Sequence, residues 1–407
     1  MKRVVVTGMY MISPIGQGWD EIHTNLKNRQ SGVVYMDEWE RYEDLRTRIA
    51  SPVKDFNLPS HYGRKQTRSM GRVAQMATRA SELALEDAGL LNDPEIQNGC
   101  MGISYGSSSG SPEAIGDFAN MKFHYKMDGV NANTYIKMMP HTTPVNLDVF
   151  FKLKGRVITT SSACTSASQG IGYAYEAIKY GMQTMMLAGG AEELDVTQAA
   201  VFDTLFATSV KNDQPQTSPS PFDRDRDGLV IGEGAATFVL EELEHAKARG
   251  AKIYAEIIGF HTNSDGCHVT QPSIETMQIA MQEALQDAGL PASEIGYVNA
   301  HGTATPRGDI AETQATEKVF GSNIPISSLK SYMGHTLGAC GSIEAGIGIQ
   351  MMNNNWFAPT INLNNLDEEC GNLDYIVGAG REIEMEYYVN NNFAFGGINT
   401  SLVFKRW

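Results

Sequence analysis

The stretch Ala84-Leu-Glu-Asp-Ala-Gly-Leu90 returns as Ala284-Leu-Gln-Asp-Ala-Gly-Leu290, altered only where Gln286 stands for Glu86. Each copy ends an amphipathic helical pattern, and Gly89 and Gly289 suit the left-handed turn that closes a helix. A strand pattern follows each copy, Met101–Tyr105 and then Tyr297–Ala300, and each strand runs into glycine at Gly106 and Gly302. A looser echo links Ser161–Tyr180 with Ser327–Met352, where a serine-rich strand end leads into a helix. Two echoes in the same order predict a duplicated fold with two helix starts near a shared centre. Strand-like and helix-like segments alternate throughout, so the class is α/β. No Pro/Ser-rich linker divides the chain. The expected halves are 1–242 and 243–407. Lys211–Pro221 is the most turn-rich loop and is expected on the surface.

The 407 residues suit two or three domains or one large duplicated unit. With 42% hydrophobic and 19% charged residues, global disorder and fibrous repeats are excluded. The net charge of −15 argues against a dedicated nucleic-acid binder and against docking on anionic membranes. An acidic partner would need a local basic patch. No apolar run reaches the roughly 20 residues of a membrane span. Val4–Val6 reads as a buried strand ending at Gly8 rather than a signal peptide. Cys100, Cys164, Cys267, Cys340 and Cys370 are too scattered for a disulfide framework. A cytoplasmic protein with reduced thiols is expected.

In Ile158-Thr-Thr-Ser-Ser-Ala-Cys-Thr-Ser-Ala-Ser-Gln-Gly-Ile-Gly172, a β-branched run gives way to small residues and then to a helical pattern. Cys164 is thereby placed at or near a helix N-terminus, where backbone N–H groups stabilise a thiolate. For this segment alone a buried structural cysteine is the better reading, and only partners elsewhere in the chain overturn it. His301 and His335 lie in glycine-flanked loops after strands, where α/β folds build sites. A cysteine with separated histidines fits covalent catalysis. Other patterns are weaker. Gly106-Ser-Ser-Ser-Gly110 fits the nucleophile elbow of a serine hydrolase and makes Ser108 a rival nucleophile. Asp223–Gly228 opens like a calcium loop, but position twelve is Gly234. His261, Cys267 and His268 lack a fourth zinc ligand. Gly232-Glu-Gly234 is too short for a dinucleotide fingerprint. No metal site is expected.

Five motifs stand in one order: Ser161-Ser-Ala-Cys164; Pro221-Phe-Asp-x-x-Arg-Asp-Gly228 with Gly232-Glu-Gly234; Asn299-Ala-His-Gly-Thr-Ala-Thr-Pro306; Lys330-x-x-x-Gly-His335; and Asn392-Phe-Ala-Phe-Gly-Gly-Ile-Asn399. Together they resemble β-ketoacyl-acyl-carrier-protein synthases of the KAS I/II type, in the thiolase superfamily. The resemblance implies a duplicated, five-layered α/β/α/β/α thiolase-like fold. It implies a decarboxylative Claisen condensation in fatty-acid or polyketide chain elongation. Cys164 would carry the acyl group as a thioester. His301 and His335 would promote malonyl decarboxylation and stabilise the enolate. Lys330 would organise that cluster, supported by Glu344. The backbone N–H of Phe395 would join that of Cys164 in an oxyanion hole, and Phe393 would gate. Thr303 and Thr305 would contact phosphopantetheine. No cofactor beyond the carrier-borne arm is implied.

Ala394 and Ile398 replace the family's usual Gly and Thr, and Ser109 falls where many fatty-acid enzymes carry an apolar pocket residue. These departures point to an unusual acyl chain, with aryl polyene pathways as one candidate. The intact Cys164 argues against a catalytically silent chain-length-factor subunit. A homodimer is implied, with a heterodimer containing such a subunit as the alternative. A helix is expected to begin at Arg64, Lys65, Arg68 and Arg72 and to run along Met70, Val73, Ala77, Ala80 and Ala84. Its acids, Glu82, Glu86 and Asp87, lie at its C-terminal end, against the dipole preference. An acyl carrier protein docking on the basic residues would explain that arrangement. A solvated charged face is the competing account.

Overall fold

The computed structural model describes all 407 residues. Ten strands make the core: β1 (Val4–Ser13), β2 (Met101–Gly106), β3 (Val157–Thr160), β4 (Met185–Glu192), β5 (Gly234–Glu242), β6 (Ala255–Ser264), β7 (Ile295–Asn299), β8 (Pro325–Ser327), β9 (Tyr387–Ala394) and β10 (Ile398–Arg406). The first five lie in the order β1-β5-β4-β2-β3, and the last five in the order β6-β10-β9-β7-β8. β2 is parallel to both β3 and β4, and β5 runs antiparallel to β4 and β1. The same directions recur in β7, β8, β9, β10 and β6. The duplication read from the echoed heptapeptide is thus a duplication of sheet topology. The two sheets also join edge to edge, where Val4, Val5 and Val6 pair antiparallel with Ile257, Glu256 and Ala255.

The echoed residues do the same work in each half. They end α2 (Arg72–Asp87) and α4 (Ile274–Ala288). These helices cross β1 and β6 so closely that a Cβ on Gly8 would lie 2.4 Å from the Ala84 carbonyl oxygen, and one on Gly259 2.3 Å from that of Ala284. Only glycine in the strand permits this approach. The echoed aspartates then fix it. Met9 N–H donates to Asp87 at 3.0 Å, and Phe260 N–H donates to Asp287 at 3.2 Å. β1 therefore does not end at Gly8, as the sequence suggested. It bulges there and continues to Ser13, paired with β5.

Between the sheets lie α3 (Ser166–Lys179) and α6 (Cys340–Asn353), the two helices of the looser echo. Their apolar faces, including Ile171, Ala174, Ile343 and Ile347, share one core with Phe238 and Leu240 of the first sheet and Tyr388 and Phe404 of the second. Val73, Ala77 and Ala84 of α2 pack on the outer face of the first sheet, and Ala284 and Leu285 of α4 on that of the second. The sequence of layers is α/β/α/β/α, with α5 (Pro306–Phe320) packed beside α4 in the last. The middle helices nearly touch: a Cβ on Gly341 would lie 2.0 Å from Ser168 Oγ. This contact brings the loops preceding both helices together.

Two local expectations change. The basic helix is two helices, α1 (Arg64–Thr67) and α2, because Glu193 accepts the Val73 N–H at 2.8 Å and starts a new helix there. Two of its three C-terminal acids answer to tertiary partners: Glu82 accepts from Tyr62 at 2.9 Å and His61 at 2.6 Å, and Asp87 from Tyr254 at 2.7 Å. The Lys211–Pro221 loop is on the surface only as far as Thr217; Ser218, Pro219 and Ser220 are buried.

Candidate active site

β3 ends at Thr160, and the chain turns sharply into α3 through Ala163, which holds a left-handed φ of 53°. Such strain persists only where the surroundings enforce it. Cys164 follows, two residues ahead of the first helical residue, Ser166. On the other side of the centre, β7 delivers His301, and the loop before α6 delivers His335. His335 Nε2 lies 2.9 Å from Cys164 Sγ, and the sulfur and the nearest nitrogens of both rings all lie within 4.8 Å of one another. All three side chains are buried. The imidazoles meet edge to face with centroids 5.1 Å apart.

The hydrogen-bond partners assign the ring protons. Leu337 N–H donates to Nδ1 of His335 at 3.3 Å. Lys330 Nζ and Asn392 Nδ2 donate to Nδ1 of His301 at 3.1 and 3.3 Å. Each neutral ring therefore carries its proton on Nε2. Burial, and then the charge of Lys330, holds both histidines well below the usual imidazole range, so they are uncharged. Lys330 itself is held protonated against burial by Glu344, whose oxygen lies 2.5 Å from Nζ. Burial in turn raises Glu344 in spite of that partner, and Asn392 donates to its other oxygen at 2.8 Å. The ammonium supplies positive charge inside the Cys-His cluster that could otherwise attract a metal ion.

One electrostatic expectation is reversed. Burial pushes the Cys164 thiol up to about 11, although Lys330 and the backbone N–H groups of Phe395 and Cys164 pull it down. Desolvation outweighs the helix terminus, so the resting group is a thiol. Those two N–H groups converge beside the sulfur.

A cavity of about 440 Å³ leads to this cluster and is lined by Phe202, Thr303, Thr305, Arg307, Phe393 and Phe395 among others. The Phe395 ring packs on Phe202 at 5.1 Å, and Phe393 stands edge-on to His301 at 6.3 Å. Thr303 and Thr305 bond each other through their hydroxyls at 2.9 Å. Ser109 is not on this wall. It donates to Glu192 at 3.2 Å and accepts from Gln198 at 3.1 Å. Ser108 also donates to Glu192, at 2.5 Å, and no histidine bonds it, so the serine-hydrolase triad is not assembled. Arg72, the fourth residue expected in docking, has its guanidinium paired with buried Glu233 at 2.7 and 2.8 Å. Arg64, Lys65 and Arg68 make no ion pair. His261, Cys267 and His268 do not gather into a ligand cluster. In the calcium-like loop Asp223 is occupied by the N–H groups of Asp225, Asn364 and Asn365 at 2.7–2.8 Å.

Sequence reasoning missed three positioning acids and one amide. Glu312 accepts the N–H groups of His301 and Gly302 at 2.6 and 2.7 Å. Glu192 ties the Ser108 and Gly338 N–H groups together at 2.8 and 3.0 Å, and so joins the serine loop to the His335 loop. Glu233 holds Arg72, and Asn392 bridges His301 and Glu344. Gly232, set aside as a nucleotide fingerprint, donates its N–H to the His335 carbonyl at 2.9 Å and pins that loop.

Comparison with known proteins agrees with this geometry. The family model described as Beta-ketoacyl synthase, N-terminal domain, matches residues 1–246, and Beta-ketoacyl synthase, C-terminal domain, matches residues 254–364. The chain is 40% identical to 3-oxoacyl-[acyl-carrier-protein] synthase 2 of Vibrio cholerae, over all of this chain and 99% of that protein. A crystal structure of a beta-ketoacyl synthase from Burkholderia phymatum STM815 superposes with a TM-score of 0.99 at 59% identity, covering all of both chains. The ishigamide ketosynthase/chain length factor superposes with a TM-score of 0.90 at 28% identity, covering all of this chain and 99% of that one. A buried thiol beside two neutral imidazoles, on a twice-repeated five-layered scaffold shared with these relatives, places the chain in the β-ketoacyl synthase family, as a β-ketoacyl-acyl-carrier-protein synthase.

Proposed function

We propose that Cys164 is the nucleophile and that His301 and His335 are the two N–H donors of the condensation. The observation that carries this is the 2.9 Å approach of His335 Nε2 to Cys164 Sγ, with His301 in the same cluster. In the first half-reaction the sulfur attacks the acyl thioester on the carrier arm. The developing oxyanion is held by the N–H groups of Cys164 and Phe395, and the thiol proton ends on the departing carrier thiol. In the second, malonyl thioester loses CO₂, and the negative charge left on its thioester oxygen is held by the Nε2–H groups of the two histidines. The carbanion equivalent attacks the acyl carbonyl on Cys164. The tetrahedral intermediate collapses, and Cys164 leaves as thiolate and regains a proton from solvent. Lys330, Glu344 and Asn392 fix the His301 ring. Phe393 gates, and Thr303 and Thr305 line the path of the phosphopantetheine. The chemistry needs no cofactor beyond that arm.

The carrier protein docks on Arg64, Lys65 and Arg68, which are free of acidic partners, with Arg72 beside them held by Glu233. Ser109 acts on acyl choice through Gln198, on the helix that carries Phe202, and with Ala394 and Ile398 favours a chain other than a simple saturated one, such as an aryl polyene. The active form is a homodimer in the cytoplasm. The duplicated halves are 1–242 and 243–407, with the short helix Leu243–Ala248 as connector. The test is condensation by the purified chain alone, given acyl-carrier and malonyl-carrier. Release of CO₂ with formation of 3-oxoacyl-carrier is expected. Activity appearing only after a second, chain-length-factor-like chain is added would overturn the homodimer.

A further inference from the structure

Arg307 is the one permanently charged cation on the wall of the cavity that ends at Cys164. It is exposed and makes no ion pair. The nearby acid Asp309 is taken by Arg226 at 3.3 Å. The acids on the cavity wall itself are also occupied. Asp265 accepts from Asn399 at 2.7 Å, and Glu312 holds the N–H groups of His301 and Gly302. Arg307 lies in the first turn of α5, where the helix dipole disfavours a cation. Helix stability therefore does not account for it, and no group of this chain neutralises it.

Its place on the path does account for it. Arg307 follows Thr303 and Thr305 along the same wall, on the solvent side of the buried Cys-His cluster. A carrier arm carries a thioester at one end, neutral amides along its length and a phosphate at the other. Planar guanidinium is well matched to phosphate oxygens. We propose that Arg307 binds the phosphate of the carrier's pantetheine arm as the arm threads the cavity. This rests on the carrier-borne substrate reading above and adds to it the residue that recognises the arm's only charge.

The test uses the whole protein and follows protection of Cys164 from iodoacetamide by 4′-phosphopantetheine and by pantetheine, which lacks the phosphate. In the wild type, phosphopantetheine is expected to protect at about tenfold lower concentration, the size of one charge-assisted hydrogen bond. Arg307→Ala should bring the two compounds together by weakening phosphopantetheine alone, and Arg307→Lys should retain part of the difference. Equal protection by the two compounds in the wild type, a ratio that survives Arg307→Ala, or a parallel loss for both compounds would each overturn the proposal. If Arg307→Ala raises KM for the whole carrier while the protection ratio stands, the arginine meets the carrier's protein surface instead, and the phosphate assignment fails. Protection does not require condensation, so a failure of the reaction itself is read separately, in the purified-chain assay.

Discussion

Replacing Cys164 by alanine is expected to abolish acyl-enzyme formation and to lower condensation by about 10⁴-fold or more, the scale on which an enzyme loses rate with its nucleophile. The fold should survive, because the side chain is small and its one close side-chain partner is His335. Decarboxylation of malonyl-carrier should continue in this variant, since the Nε2–H groups of His301 and His335 do not depend on the sulfur for their protons. Each is fixed from the Nδ1 side, by Lys330 and Asn392 in one case and by Leu337 in the other. Product analysis would thus show CO₂ and acetyl-carrier without 3-oxoacyl-carrier. Condensation at the wild-type rate would contradict the assignment.

The second large effect is expected at Lys330. Its side chain is 1% exposed, that of Glu344 is 0% exposed, and the two are 2.5 Å apart. Lys330→Met leaves the Glu344 carboxylate buried without its counter-ion, at a cost of about 3–5 kcal/mol. It also removes the stronger donor to His301 Nδ1. The ring proton can then move to that nitrogen, and the Nε2 donor is lost from the enolate site. Losing one preorganised donor of this kind slows catalysis by about 10²–10³-fold. Stability and catalysis separate in the double variant Lys330→Met with Glu344→Met. Denaturant unfolding should show most of the stability restored, while condensation stays low. Wild-type condensation in the double variant would show that Lys330 acts only on folding.

The duplication was legible because Ala84, Asp87 and Gly89 meet the same demands as Ala284, Asp287 and Gly289. A helix end must lie against a strand glycine, and an acid must receive the next N–H. Local rules recur wherever the packing recurs. The cluster of Cys164, His301 and His335 was legible for a different reason: each member sits at a strand end or helix start marked by glycine and small residues. What stayed hidden depends on partners far away in the chain. The break between α1 and α2 is set by Glu193, 120 residues on from Val73. Arg72 looked like a free surface charge until Glu233, 161 residues later, claimed it. The Cys164 thiol was expected to be acidified by its helix. Burial, a property of the whole fold, moves it the other way, to about 11. Ser108 matched a hydrolase pattern in sequence, but its hydroxyl donates to Glu192 where a triad would need a histidine.

The most direct measurement is mass spectrometry of the wild-type protein loaded with acyl-carrier in the absence of malonyl-carrier, digested and mapped. The acyl mass is predicted on the peptide containing Cys164, as a hydroxylamine-labile thioester. An acyl group found instead on the peptide of Ser108 or of Cys340, or no adduct on a protein that still condenses, would contradict the account.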